Sequence, residues 1–222
     1  WLHVDAAHGA SVLLSETLSP LVHGLDRADS LSWDPHKMLW MPLSLGVVLV
    51  RHERWLRGAF ESDAPYLFHR EADEPNIGEM TIQCSRRADA VKLWLTLQAH
   101  GTDAFTAAME RVTELTRYLH RRVTDSDDFE SMHEPEFNIF CFRFVGDRNR
   151  DEAELDGWNR RIRRALIESG DAWITSTVLG GRRVLRVTMI NPATTEADID
   201  RMLDSVRRVA SALEDEELAE PQ

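Results

Sequence analysis

The spacing of hydrophobic positions changes along the chain and divides it into two parts. The first part contains short apolar runs at residues 1–5, 31–34 and 45–50, which predict three strands separated by turns. The run at 45–50 is continuous rather than alternating, which is typical of a sheet covered on both faces. Small residues after Asp5 favour a tight turn. We therefore predict an α/β arrangement for this part.

Helical spacing dominates from residue 90 onward. Apolar residues recur at i, i+3, i+4 and i+7 in two consecutive helices, which His100 and Gly101 separate, with the glycine as a stop signal. Residues 139–145 and 184–190 predict strands. The last helix follows Asn191-Pro192 and carries the capping pattern Thr195-x-x-Asp198. This part of the chain therefore reads as a small α+β region.

Composition narrows the classes of partner. Asp and Glu outnumber Lys and Arg by 38 to 26, so nucleic acid and anionic membrane surfaces are disfavoured. Two cysteines without metal-ligand spacing favour a reducing, cytoplasmic compartment, and the histidines show no metal-ligand spacing either. The longest apolar stretch, residues 38–50, is interrupted and too short to span a bilayer. We expect no metal and no membrane span.

Lys37 is distinguished by its sequence context. It follows a Pro-His step in the string SWDPHK, between two predicted strands. Pro35 fixes its own φ and biases Asp34 away from the helical region, so the backbone that carries Lys37 is stiff. A lysine held in this way suits a Schiff base with an aldehyde cofactor. The alternative is an ordinary exposed lysine that covers a strand edge.

Asp5 and Arg186 complete a candidate constellation. Asp5 ends the first predicted strand, where open α/β sheets bind ligands, and pyridoxal 5'-phosphate (PLP) needs a carboxylate at its pyridine nitrogen. The alternative for Asp5 is a cap on the following turn. Arg186 shares one face of its predicted strand with Thr188, and its guanidinium matches a substrate carboxylate. The alternative for Arg186 is an exposed ion pair.

Four strings in the sequence resemble the group II PLP-dependent amino-acid decarboxylases. They are HVDAAHGA, ADSLSWDPHK, TIQCSRRADAVKLWLTLQAHG and VLRVTMINPATT, in the order of that family's motifs. The resemblance implies a fold-type I, PLP-dependent transferase-like α/β fold. Residues 1–110 would form the C-terminal part of the PLP-binding large domain, and residues 111–222 a small C-terminal α+β domain. It also implies a homodimer.

The resemblance assigns a role to each matching position. Lys37 would bind PLP covalently and act in catalysis together with His36. Asp5 would bind the pyridinium nitrogen, Ala7 would pack against one face of the ring, and His36 would lie near the phosphate. Arg186 would bind the α-carboxylate of the substrate. The strings TIQC and KLWL look closer to the glutamate, aspartate and cysteine-sulfinate decarboxylases, so we expect an acidic L-amino acid to yield an amine and CO₂.

The sequence departs from the family pattern in the segment that corresponds to the family's mobile loop. Family members usually carry a tyrosine there as the proton donor, but residues 69–80 contain none. Tyr66 matches a string upstream of the loop, and Tyr118 lies in a predicted helix. His69 is an alternative proton donor.

A second departure is Asp34, which stands where relatives often have asparagine beside the phosphate. A carboxylate there would repel the phosphate unless it points away. Because Trp1 lies within a predicted strand, we also expect an upstream half that supplies the ring-stacking residue and most phosphate ligands.

Two other hypotheses stay open. One keeps PLP but changes the reaction to oxidative deamination, aminotransfer or carbon–carbon cleavage, since a fold does not determine its chemistry. The other is a truncated, non-catalytic subunit or remnant that pairs with an intact chain.

Overall fold

The structure is a computed structural model that describes residues 1–60, 77–83, 85–147 and 149–219. It contains two compact units, residues 1–107 and residues 108–222. One unit carries a three-stranded sheet and the other a four-stranded sheet. The predicted domain ranges, 1–110 and 111–222, stay a prediction.

The first unit is built on a mixed sheet with strands β1 (His3–Asp5), β2 (Ser30–Trp33) and β3 (Val47–Val50). β1 pairs with β2 in parallel and β2 pairs with β3 in antiparallel orientation. Two helices follow the strands, α1 (Pro35–Met38) and α2 (Glu53–Phe60). Short 3₁₀ turns lead from β1 to β2. The core of this unit includes the almost fully buried Val12, Leu18, Met38, Leu39 and Leu45.

One expectation for β3 was wrong in this chain. The continuous apolar run suggested a strand covered on both faces, but Val48 and Leu49 are 54 % and 50 % exposed. Val48 and Leu49 are successive residues that point to opposite faces, so neither face of β3 is fully covered by the described part of the chain.

Helix α3 (Asp89–Thr124) is interrupted at Gly101, whose φ of 70° and ψ of 176° are not helical. This conformation is almost confined to glycine, so the predicted break is confirmed. The apolar face predicted beyond the break is buried as well. Five of its six members are between 0 % and 7 % exposed, and the sixth, Ala108, is half-buried: Phe105, Met109, Val112, Leu115 and Leu119 are the buried five.

The second unit is an antiparallel sheet in the order β4 (Phe129–Ser131), β5 (Ile139–Phe144), β7 (Arg182–Thr188) and β6 (Thr175–Leu179). The helices of this unit are the end of α3, α4 (Glu152–Ser169) and α5 (Glu196–Ala219). Side chains from α3 and α5 contact one aromatic face of the sheet. His120 lies edge-on to Phe140 at 5.3 Å, and Arg207 lies over the ring of Phe129 at 5.0 Å. Phe140 is fully buried, so this face belongs to the core.

Local signals in the sequence account for several ends of these elements. The predicted capping pattern before α5 is confirmed, because the Thr195 and Asp198 side chains each accept a hydrogen bond from the other's backbone N–H. Gly180 and Gly181 join β6 to β7 with φ values of 58° and 83°. Positive φ at both central residues is the requirement of a tight two-residue hairpin turn.

Within the described ranges, every helix falls short of the combined length and apolarity that a bilayer crossing requires.

Candidate active site

The carboxyl ends of β1 and β2 bring four of the predicted site residues together. The two strands run in parallel, with Asp5 in register with Ser32. Helix α1 starts two residues after β2 and carries His36 and Lys37. The backbone N–H of Asp34 donates to the Ala7 carbonyl at 3.1 Å, which ties this turn to the end of β1. Because neighbouring parallel strands end at one edge, Asp5 and Lys37 share the edge where such sheets bind ligands.

The Asp5 carboxylate is held ionised by two donors. The Ala7 backbone N–H donates to Oδ1 at 3.1 Å, and the Ser32 hydroxyl donates to the same oxygen at 2.9 Å. These bonds lower the pKa of Asp5, and the positive charges of Lys37 and His3 lower it further. Among the described residues no donor reaches Oδ2. Asp5 therefore presents one oxygen of an exposed carboxylate to a cationic or N–H donor ligand.

Lys37 lies on the short helix α1 and its amine pairs with Asp34. The distance from Lys37 Nζ to Asp34 Oδ2 is 3.0 Å, and the side chain of Lys37 is 37 % exposed. Its backbone N–H donates to the Asp34 carbonyl at 2.9 Å. Pro35 is the first residue of the helix, where its missing N–H costs no hydrogen bond. The amine is thus accessible to a ligand and held at a defined place.

His36 is oriented by one hydrogen bond. Its Nδ1 lies 2.7 Å from the Leu45 carbonyl oxygen, and because a carbonyl only accepts, Nδ1 carries the proton. The other ring nitrogen, Nε2, lies 3.8 Å from Asp34 Oδ2. Ala7, the remaining predicted residue of this group, is half-buried next to Asp5. Its small side chain leaves space at the strand end, while its N–H is occupied by the carboxylate.

Arg186 belongs to the second unit and lies in the middle of β7. It is in register with Cys141 of β5 and with Thr175 of β6. The Thr175 hydroxyl donates to the Arg186 carbonyl at 2.8 Å. Burial raises the pKa of the Cys141 thiol, and the charge of Arg186 opposes that rise. Arg186 as a whole is half-buried, and within the described ranges no carboxylate pairs with its guanidinium.

Ser32 is a site residue that the sequence reasoning missed. Its hydroxyl is one of the two donors to Asp5, although the two residues are 27 positions apart. The available signal was the register of two parallel strands, which puts residues of equal depth side by side. Tyr66 and His69, weighed as loop residues, lie outside the described residues.

The chemical groups of Asp5 and Lys37 match those that PLP requires. A pyridinium nitrogen needs an ionised carboxylate, and Asp5 offers one with an oxygen that faces outward. An aldehyde needs a primary amine, and Lys37 is one of only two lysines in the sequence. The other, Lys92, lies on α3 and pairs with Asp89 at 2.5 Å.

Comparison with known proteins points the same way. The pyridoxal-dependent decarboxylase conserved domain matches residues 1–145. Cysteine sulfinic acid decarboxylase from Rattus norvegicus is 35 % identical over 96 % of this chain and 46 % of its own length. Aromatic-L-amino-acid decarboxylase from Bacillus atrophaeus is 30 % identical over 95 % of this chain and 44 % of its own length.

A solved structure shows the same fold. The crystal structure of Oryza sativa TDC with PLP and tryptamine superposes with a TM-score of 0.88 at 25 % identity, covering 96 % of this chain and 45 % of that one. The predicted fold-type I α/β class is thereby confirmed. The chain spans somewhat less than half the length of the curated relatives it matches.

Proposed function

This chain belongs to the pyridoxal-dependent decarboxylase family, and we propose that it supplies the cofactor lysine, the ring-nitrogen carboxylate and a substrate arginine to an amino-acid decarboxylase. The main observation behind the proposal is that β1 and β2 are parallel neighbours whose carboxyl ends lie side by side. Asp5 and Lys37 follow adjacent parallel strands, and the carboxylate is kept ionised by the Ala7 amide and the Ser32 hydroxyl. When bound, PLP supplies a protonated pyridine ring that takes up the electron pair left as CO₂ departs.

Asp5 would keep the ring nitrogen protonated. Its lowered pKa leaves the carboxylate negative at neutral pH, so it favours a proton on the nitrogen that faces Oδ2. The hydrogen bonds to Oδ1 also orient the group, because a carboxylate fixed through one oxygen presents the other in a set direction. Ala7 leaves room for a flat ring beside this carboxylate.

Lys37 would hold the cofactor through its amine, and His36 would assist at the phosphate. With Nδ1 bound to the Leu45 carbonyl, a protonated His36 directs its Nε2–H away from the backbone, where it can donate to an anion. The roles of both residues rest on their common position at the carboxyl end of β2.

Arg186 would bind the α-carboxylate of the substrate. Arg186 is a half-buried residue, and its guanidinium has no carboxylate partner in the described part of the chain, so it is available for a planar, two-point contact. The alternative of a structural ion pair finds no support there. By contrast, Arg182 on the same strand pairs with Glu130 at 3.4 Å and with Glu152 at 3.5 Å.

An acidic substrate is the finer part of the proposal. It is supported by the strings TIQC and KLWL and by the identity with a cysteine sulfinic acid decarboxylase. The relationship to an aromatic-L-amino-acid decarboxylase makes aromatic substrates the direct competitor. Assays of CO₂ release from cysteine sulfinate, glutamate and aspartate, run beside tryptophan and tyrosine, decide between the two. Faster release from the aromatic pair would overturn the acidic preference.

Reductive trapping tests the cofactor assignment. The chain is incubated with PLP, reduced with borohydride and mapped by mass spectrometry. We expect the reduced cofactor on Lys37, with Lys92 as an internal reference of almost equal exposure, 39 % against 37 %. Equal labelling of both lysines, or labelling of Lys92 alone, would contradict the assignment.

Kinetics of Arg186→Met test the substrate contact. Loss of a charge-assisted two-point contact predicts a rise in KM for the amino acid of about 10- to 100-fold. Arg182→Met is the matched control on the same strand and face, and its KM is expected to stay near that of the unmodified chain. A similar rise for both variants would mean that the effect comes from the strand and not from substrate contact.

One sequence feature favours a second reaction on the same scaffold. Residues 69–80 contain no tyrosine to return a proton to the substrate carbon, so reprotonation would be slowed and oxygen could compete with it, which makes oxidative deamination the alternative reaction. Product analysis separates the reactions, because an amine with CO₂ supports decarboxylation and an aldehyde with ammonia supports the deaminase. A chain that assembles with a longer homologue and forms neither product would instead support the non-catalytic subunit.

A further inference from the structure

Asp34 uses its carboxylate in an unusual way for its position. It is the N-cap residue of α1, where an aspartate ordinarily accepts a hydrogen bond from the backbone of the first turn. Here the side chain makes no such cap bond. Its Oδ2 instead lies 3.0 Å from the amine of Lys37. The carboxylate therefore pairs with the amine of Lys37 and does not cap the helix.

The position of this carboxylate is constrained on several sides. The backbone N–H of Asp34 is tied to the Ala7 carbonyl, so the residue cannot follow movements of α1 alone. On the other side, a methyl group added at Gly46 would lie only 3.3 Å from Asp34 Oδ1. His36 Nε2 lies 3.8 Å from Oδ2. The side chain is 25 % exposed, so water screens the pair only in part.

We propose that Asp34 is a positioning residue for Lys37, which holds its ε-ammonium at the carboxyl end of β2 and restrains it from reacting until the ion pair opens. This rests on the proposed function, in which Lys37 receives PLP. The charges that act on the amine are the Asp34 carboxylate, the more distant Asp5 carboxylate and, when protonated, His36. Asp34 is the partner in direct contact.

The chemical step that the pair controls is the attack of the amine on the aldehyde. The ammonium first leaves Asp34 Oδ2 and releases one proton to solvent. The nitrogen lone pair then bonds to the aldehyde carbon, and the aldehyde oxygen leaves as water with the two remaining amine protons. No oxidation or reduction takes place. The nitrogen lone pair becomes available only after the amine has left Asp34, so the ion pair slows attachment.

The chain contains a matched control for this pair. Lys92 pairs with Asp89, also three residues earlier, and the two lysine side chains are exposed by 39 % and 37 %. Because no other lysine occurs in the sequence, a lysine-selective reagent reports on these two sites. Competitive acetylation with acetic anhydride, a small neutral reagent, measures both rates in one sample without any cofactor.

The variants are Asp34→Asn, Asp34→Glu and Asp89→Asn. Asparagine is nearly isosteric with aspartate and suits an N-cap, so the fold is kept. At pH 8 we expect Asp34→Asn to raise acetylation of Lys37 by about two- to fivefold with Lys92 unchanged, the size of a partly exposed ion pair. Asp89→Asn is expected to raise Lys92 alone, and Asp34→Glu to return Lys37 toward its original rate.

The outcomes separate the two proposals. An unchanged Lys37 rate in Asp34→Asn, alongside a raised Lys92 rate in Asp89→Asn, overturns the restraint by Asp34. The same variant must also speed attachment of PLP to Lys37, and slower attachment overturns the inference as well. If reductive trapping places PLP elsewhere, the proposed function fails, while the acetylation result still reports on the ion pair.

Discussion

The buried side chain of Asn159 completes the end of a strand, and its loss offers a test of how the second unit is held together. The ladder between β5 and β7 ends at the pair Phe142 and Leu185, two residues before β5 itself ends at Phe144. There the Asn159 amide replaces the missing strand. Its Oδ1 accepts from Phe144 N–H at 2.9 Å, and its Nδ2 donates to the Phe144 carbonyl at 3.0 Å.

The change Asn159→Ala leaves both backbone groups of Phe144 without these partners. Asn159 is 0 % exposed and Phe144 is 6 % exposed, so water does not readily replace the lost bonds. An unsatisfied buried polar group costs about 1–3 kcal/mol, and the two groups together predict a loss of about 3 kcal/mol in the free energy of unfolding. With an ordinary denaturant dependence, this is a decrease of about 1–2 M in the urea midpoint.

Urea titration with hydrogen-exchange mass spectrometry measures the effect at the right place, since peptides over residues 139–147 report on the Phe144 amide. Asn191→Ala is the control, because this exposed side chain caps only the Ala193 N–H, and its effect is expected within about 0.5 kcal/mol. An unshifted midpoint with retained protection in Asn159→Ala would refute the reasoning.

A second variant, Asn159→Asp, adds a pH signature. The new carboxyl would keep the bond from the Phe144 N–H but would place an oxygen against the carbonyls of Phe144 and Leu155, which now accept from Nδ2. Burial and these carbonyls disfavour its charge and would raise its pKa in the folded state. The destabilisation is therefore expected at neutral pH and is relieved as the pH falls through that raised value.

Three further predictions address other parts of the molecule. Ser32→Ala removes one donor to Asp5, so the pKa of Asp5 is expected to rise toward 3.8. The stability that the ionised carboxylate contributes is then lost at a higher pH as the solution is acidified. Carboxyl-carbon NMR during the acid titration measures the pKa. Gly101→Ala puts a side chain at φ 70° and is expected to destabilise the fold by about 1–3 kcal/mol. Gly157→Ala in mid-helix is expected to stabilise it by about 0.5–1 kcal/mol. Changes of the same sign in the free energy of unfolding, measured by thermal unfolding, would contradict this. Phe140→Ala empties a fully buried site and costs about 3–5 kcal/mol in urea unfolding, and a loss below 1 kcal/mol would contradict its place in the core.

Much of the local structure followed from patterns that depend on neighbouring residues. The break at Gly101, the apolar face from Phe105 to Leu119 and the cap at Thr195 were predicted because helix spacing, glycine conformation and capping act within a few residues. The position of Asp5 at the ligand-binding end of its strand was predicted from the α/β pattern, whereas its grouping with Lys37 came from the family resemblance. Their chemical roles stay predictions.

The structural features that the sequence did not predict depend on residues that are distant along the chain. Strands β4 and β6 were missed, since short segments with polar residues such as Glu130, Ser176 and Thr177 carry no clear alternation. Asn159 looks like a surface residue in a helix until the end of β5 is placed beside it. Asp34 drew attention as a source of phosphate repulsion, and its contact with Lys37 emerged only when the turn between β2 and α1 was folded.

The hairpin turn at Gly180 and Gly181 is surrounded by open space, although the two glycines themselves are required for their positive φ. Both residues are exposed, and no atom of another residue lies within 4 Å of a Cβ built at either of them. A strand rises about 3.3 Å per residue, so a reporter group inserted between the two glycines would stand roughly 18 Å along β7 from Arg186. The turn is therefore an attachment point from which ligand arrival near the arginine can be followed in real time.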